Sequence, residues 1–316
     1  MNRRLTLGSF GGYRVLPSYK IYNINLKVNK TLHSSLQLLR FHFSFFLMPV
    51  YFFALSQANS INWYHAVIIF FILHGLVYPA SNGYNSYMDR DESSIGGIKN
   101  PMQPTQQLLF ITACMDILAV IASFYISRMF AYGIILYILA SRAYSYRKIR
   151  LKKYPIAGYL TVVIFQGGVT FLLVYHGSDI NQTTQIPVIS LIASSFLIGG
   201  FYPLTQIYQH EEDLKDGVQT LSYKLGYRGT FIFTGIVYTV AFFFLALQFF
   251  LNLDQKSFFI LQAFMLPVLV YYVIWFRKVQ KNKKEANFKN TMRMNLLASI
   301  CANLGFITIL IFHFFE

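Results

Sequence analysis

Asn85, Asp89 and Glu92 stand at relative positions 0, 4 and 7 in the stretch NGYNSYMDRDESSIGGIKNP, residues 82–101. On a helix advancing roughly 100° per residue, these three fall within about 60° of one face. An amide and two carboxylates then converge on one point. Oxygen ligands of this kind suit a hard cation such as Mg²⁺, which keeps waters and shares its shell with substrate phosphates. Far downstream, in YQHEEDLKDGVQTLSYKLG, residues Gln209, Asp213 and Asp216 repeat the spacing. Seven of the twelve acidic residues lie in these two stretches, and solubility alone does not call for that concentration.

Each cluster follows an apolar run long enough to cross a bilayer, residues 63–80 and 187–207. Such runs recur along the whole chain, which is 55% hydrophobic and only 12% charged. The reading is an all-α polytopic membrane protein with about nine transmembrane helices in a bundle. The expected spans are 37–57, 63–83, 107–127, 129–143, 156–176, 187–207, 229–251, 257–276 and 294–315, the fourth being short. The runs are continuously apolar rather than alternating, which excludes a barrel. Residues 1–36 read as a basic cytoplasmic leader and 37–316 as one transmembrane domain.

Charge sets the orientation. On the nine-span reading, 24 of the 27 Lys and Arg residues fall in the leader and in alternate connections. Positive loops stay in the cytoplasm, so the leader and both acidic clusters face it and the C-terminus faces out, as in a bacterial inner membrane. The net charge of +15 is thus spread by loop rather than gathered on a module, which argues against nucleic acid as a partner. Cys114 and Cys301 lie in apolar runs and have no metal-ligand spacing.

The basic segment RAYSYRKIRLKK, 142–153, faces the same side as the acids. From it Arg147, Lys152 and Lys153, with Lys99 after the first cluster, are candidate contacts for phosphate oxygens. Arg40, near the start of the first span, is a charge at a costly depth; it either holds an anionic acceptor or snorkels to the interface.

Together these residues resemble the UbiA superfamily of intramembrane prenyltransferases, over residues 37–315. Asn85 and Asp89 occupy the first two positions of an N-x-x-x-D-x-x-x-D motif. Asp213, Gly217, Thr220 and Leu221 match the second motif, and Tyr144-Ser145 followed by RKIRLKKYP matches the segment after the fourth span. Ser93 stands at the third acid of the first motif, Gln209 at the leading acid of the second, and Gln206 where many members carry Asp.

The resemblance implies Mg²⁺-dependent transfer of a prenyl group from a polyprenyl diphosphate to a lipophilic acceptor, aromatic or a quinone precursor. It assigns Asn85, Asp89 and Asp213 to metal and catalytic roles, with Glu92 and Asp216 as supporting acids. Lys99, Arg147, Lys152 and Lys153 would meet the diphosphate, and Arg40 and Asp91 the acceptor side. Two other readings stay open. One is phosphoribosyl transfer to a polyprenyl phosphate. The other is a degenerate homologue that binds isoprenoids, which Ser93 and Gln209 favour. Transport is disfavoured, because the polar clusters lie at span ends rather than at the midplane.

Overall fold

The computed structural model describes residues 31–315. Of the expected leader, residues 1–30 lie outside the described residues; the last six begin a helix, 31–39. Among the described residues there are nine long helices, that one included, and one short α-helix: α1 (Thr31–Ser56), α2 (Trp63–Asp89), α3 (Gln106–Ile126), α4 (Arg128–Ser145), α5 (Pro155–Ser178) and α6 (Val188–Gln206). After the short α7 (His210–Lys215) come α8 (Leu221–Leu251), α9 (Gln255–Lys281) and α10 (Phe288–Phe315). Among the described residues there are no strands, only two isolated bridges.

Eight of these helices are long and apolar enough to span a membrane. The remaining expected span, the short fourth one at 129–143, is α4, 18 residues long, or about 27 Å. It packs within the bundle against α3 and α2, and two arginines at its ends, Arg128 and Arg142, lower its apolarity. The outer faces are apolar: Ile117, Ile121 and Phe124 on α3 are about half exposed or more, as lipid-facing side chains are. The chain is an integral membrane protein.

Without water to exclude, such helices associate by close packing. Phe53 of α1 stacks between Phe171 of α5 and Phe306 of α10, with ring centroids 5.2 and 4.8 Å away. Gly167 of α5 lets the α6 backbone approach: a Cβ there would sit 2.6 Å from the Cα of Ser195.

Several helices depart from regular α geometry along their length, and α8 is kinked at Gly226 (φ 66°). In α1, Arg40 adopts a left-handed conformation (φ 49°), and a 3-10 turn, Phe41–Leu47, follows. In α2, Pro79 cannot donate to the ladder, and the preceding turn, Phe71–Val77, widens to a π-helix. A second π-helical turn, Val163–Val169, interrupts α5 at its glycine pair.

Candidate active site

Helix α2 ends at Asp89, because Arg90 turns left-handed (φ 56°) and its N–H closes on the Ser86 carbonyl (3.0 Å). Asn85 and Asp89 therefore share the last turn and a face, as expected. Glu92 is beyond the helix, so the spacing argument does not extend to it; its side chain is exposed. The chain then forms a tight turn in which Ile95 and Ile98 exchange backbone hydrogen bonds of 2.9 Å and bury their side chains. Lys99 leaves that turn on the exposed side. Arg40 anchors the loop from α1, donating to the carbonyls of Gly96 (3.4 Å) and Asn82 (3.2 Å).

The second acidic stretch is built as a helix–turn–helix corner. Helix α7 carries Asp213 one turn after Gln209, whose carbonyl accepts from the Asp213 N–H at 2.9 Å. Gly217, at φ 70°, reverses the chain so that the Val218 N–H closes on the Asp213 carbonyl (2.7 Å). Thr220 caps α8, accepting from the Tyr223 N–H at 3.2 Å. The glycine and threonine that follow Asp213 thus have local backbone jobs. Asp216 caps the end of α7 with its carboxylate on Arg147 and Arg150 of the basic segment, and only the i,i+4 pair Gln209 and Asp213 lines the cavity described below. Gln209 Nε2 donates to the Ser94 carbonyl (3.3 Å) and ties this corner to the first loop.

The two stretches meet around one cavity with about 1320 Å³ of empty space, counted with the part open to solvent. Asn85, Asp89, Asp91, Asp213, Lys152 and Arg40 all line it. Glu92, Lys99, Arg147, Lys153 and Asp216 do not. Deeper in, the walls turn aromatic, with Tyr137, Phe165, Phe201 and Phe46. Between the acids and these rings, the hydroxyls of Tyr144 and Tyr202 are hydrogen-bonded, and Gln206 Nε2 donates to Tyr202 Oη (2.8 Å).

Asp89 is buried, and Lys152 Nζ pairs with its Oδ2. Its Oδ1 accepts no hydrogen bond; Arg150 Nη2 stands 3.6 Å away. Asn85 Nδ2 donates to Ser145 Oγ (3.0 Å), and among the described residues nothing donates to the amide oxygen. Asp213 has no ion-pair partner among the described residues. Burial, reinforced by the negative charges of Asp91 and Asp89, pushes its carboxyl up to about 7. Asp91 is raised to about 6 by burial and then by Asp89. Asp216 behaves oppositely: burial opposes ionisation, but hydrogen bonds from Arg150 and Arg147 outweigh it and hold the carboxyl below its ordinary range.

Among the described residues, no three His, Cys, Asp or Glu side chains come close enough to form a protein-only metal cage. The donor set nevertheless fits Mg²⁺, which is held by one or two carboxylates together with substrate phosphates. The orphaned Asp89 oxygen and the Asp213 carboxyl, without an ion-pair partner among the described residues, are what a cation shared with an anionic ligand would satisfy.

Some participants were not legible in sequence. Arg150 lies in the basic segment without a motif position of its own, yet it is buried and reaches both acidic stretches. Asp116 on α3 pairs with Arg142 of α4, and that guanidinium lies 4.0 Å from the Tyr84 ring centroid. An acid inside an apolar run was the available signal.

A family model described as the UbiA prenyltransferase family matches residues 45–297. Solved structures share the fold over most of the chain. A UbiA homologue from Archaeoglobus fulgidus, bound to DMAPP and Mg²⁺, has a TM-score of 0.63 at 16% identity, covering 87% of this chain and 99% of that one. The complex described as bound to GPP and Mg²⁺ has a TM-score of 0.62 at the same identity and coverage. A digeranylgeranylglyceryl phosphate synthase structure has a TM-score of 0.59 at 17% identity, covering 89% of this chain and 98% of that one. A comparison with curated proteins gives no match.

Proposed function

Since the chain belongs to the UbiA prenyltransferase family, we propose that it transfers a prenyl group from a polyprenyl diphosphate to a lipophilic acceptor inside the membrane, with Mg²⁺ as cofactor. One observation carries the reading: Asp89 and Asp213, far apart in sequence, line the polar end of one cavity whose other end is aromatic. A diphosphate head and an isoprenoid tail need those two environments in that order. The Archaeoglobus homologue's Mg²⁺ complexes with DMAPP and GPP support the donor class.

In this reading Asp89 and Asp213, with the Asn85 amide oxygen, would hold Mg²⁺ together with the donor's diphosphate. The bound ion supplies Lewis-acid neutralisation of the departing group. Lys152, already in the cavity, donates to the phosphate oxygens, with Lys99 and Lys153 as further cationic contacts; Arg147, expected among them, spends its donors on the end of α2 and on Asp216 instead. The bond between the prenyl C1 and its diphosphate oxygen breaks, leaving an allylic cation. The faces of Tyr137, Phe165 and Phe201 stabilise it, since an aromatic face attracts a cation. A nucleophilic carbon or oxygen of the acceptor attacks C1 and then loses its proton. Arg40 and Asp91, on the α1 side of the cavity, orient the acceptor, an aromatic or quinone-precursor compound. The acids face the cytoplasm and the C-terminus lies outside, as the charge asymmetry of the loops supports.

The test is Mg²⁺-dependent diphosphate release by the protein in nanodiscs. Farnesyl, geranylgeranyl and longer diphosphates are offered with lipid-extract acceptors, beside Asp89→Asn and Asp213→Asn. Release that needs Mg²⁺ and is lost in both variants is the expected result. No release with any donor would reject prenyl transfer.

A further inference from the structure

The basic segment between α4 and α5 reaches both acidic stretches, but not with equivalent side chains. Lys152 enters the cavity. Arg147 and Arg150 are already committed elsewhere. Arg147 caps the end of α2, with Nε on the Met88 carbonyl (2.7 Å) and Nη2 on the Asp89 carbonyl (3.1 Å). Its remaining terminal nitrogen, Nη1, donates to Asp216 Oδ1 (3.0 Å). Arg150, left-handed at φ 49°, gives Nη1 to the Asp216 carbonyl (3.1 Å) and Nη2 to Asp216 Oδ2, with Asp89 Oδ1 a longer 3.6 Å from the same nitrogen. Asp216 thus accepts from two guanidinium groups, one on each carboxylate oxygen.

We propose that Asp216 is a positioning residue: it clamps Arg147 and Arg150 against the end of α2, and through them sets the path of the segment that delivers Lys152 to the donor. This rests on the donor site proposed above, and it departs from the expectation that Asp216 supports the metal.

Three observations carry it. Both carboxylate oxygens are occupied by cations of the same chain, so a metal would have to displace two arginines. The side chain lies outside the cavity lining that holds Asp89 and Asp213. The clamp also spans three elements: the end of α2, the segment before α5, and the turn after α7. The Arg147–Asp216 pair is partly exposed, at 45% and 31%, and such a pair adds little stability. Its value is geometric, because a planar guanidinium fixes direction as well as distance.

The test uses the full chain in nanodiscs, with inorganic pyrophosphate and Mg²⁺ as the probe, read as the shift in thermal midpoint. Donor turnover is measured in parallel. The variants are Asp216→Asn, Arg150→Lys, their double, Arg147→Met, and Asp213→Asn as the reference for metal holding. Asp216→Asn is expected to weaken pyrophosphate about ten- to hundredfold and to raise donor KM more than it lowers kcat. The half-saturating Mg²⁺ concentration should stay close to that of wild type, far from the Asp213→Asn effect, because Asp216 lies outside the cavity lining. Arg147→Met should lose pyrophosphate affinity in the same direction. The double variant should be no worse than its worse single parent, because both changes open one clamp.

A rise in Mg²⁺ requirement like that of Asp213→Asn, or additive losses in the double variant, would overturn the proposal. If wild type shows neither a pyrophosphate shift nor turnover, the donor reading fails separately. The ligand-free thermal midpoints then decide the clamp: coupled losses support it and additive losses reject it.

Discussion

Lys152 of the segment before α5 and Asp89 at the end of α2 form a salt bridge inside the cavity, 63 residues apart in sequence. The ammonium occupies one carboxylate oxygen and leaves the other without a hydrogen bond. In the proposed function this pairing neutralises Asp89 and would present a cation to an incoming diphosphate. Lys152→Met should therefore raise donor KM by about ten- to hundredfold, with a smaller fall in kcat. Asp89→Asn should remove Mg²⁺-dependent release altogether. Steady-state kinetics over a donor and Mg²⁺ grid would check both; equal losses in the two variants would contradict the division of labour.

If Asp213 holds the cation as proposed, it sets the pH dependence. Burial, with Asp91 and Asp89 nearby, raises its carboxyl to about 7, so the ligand-free site keeps that proton below neutrality. A cation needs the ionised form. Apparent Mg²⁺ affinity should therefore rise with pH through about 6 to 7 and flatten above it. Folding stability runs the other way. A raised carboxyl pKa means the folded chain binds more protons than the unfolded one between the ordinary value and about 7. That contribution is present at low pH and lost as pH rises through the window. Asp213→Asn should flatten both profiles, measured by Mg²⁺ titration and by thermal midpoints across pH.

Glu92 separates spacing from geometry. It completes the 0, 4, 7 pattern, but α2 stops at Asp89 and the Glu92 side chain is exposed, outside the cavity lining. Glu92→Gln is expected to cost turnover less than about threefold, as an exposed substitution does. A loss as large as that of Asp89→Asn would place Glu92 with the metal after all.

Gly167 is where the bundle has no room. An added methyl group would meet the Ser195 Cα at 2.6 Å and the Ser194 carbonyl oxygen at 2.9 Å, both backbone atoms. Gly167→Ala should destabilise the α5–α6 packing by about 1–3 kcal/mol, the usual cost of overpacking. Gly75→Ala, whose nearest contact is an ordinary 4.0 Å to a Phe71 ring atom, is the control and should stay within about 1 kcal/mol of wild type. Thermal midpoints of the two variants in the same nanodiscs would show the difference.

Asp116 is a further test of what the bundle requires. It pairs with Arg142 between α3 and α4, both side chains largely buried. Asp116→Asn leaves that guanidinium without its counter-charge, at a cost of about 3–5 kcal/mol. Replacing both, as in Asp116→Leu with Arg142→Met, should recover much of the loss in thermal midpoint.

The sequence alone determined the solvent of this protein and the chemical kind of its site. Continuous apolar runs can only be membrane helices, because a backbone in lipid must satisfy its own hydrogen bonds. Carboxylates gathered at two span ends marked the polar end of the bundle, and Asn85 with Asp89, and Gln209 with Asp213, were readable because one helical turn separates each pair. Beyond one turn the reading depended on where each helix stops. Arg90, left-handed, ends α2 before Glu92, while Asp216 gives both carboxylate oxygens to Arg147 and Arg150, so neither residue joins the cavity lining. Only the tertiary structure could say which cation of RAYSYRKIRLKK goes where. Lys152 enters the cavity while Arg147 and Arg150 brace it, because partner choice in a charged segment follows from the approach of distant backbones, here the end of α2 and the turn after α7. The same holds for Asp116: its place on α3 was visible, but its partner was fixed by the packing of α4 beside it.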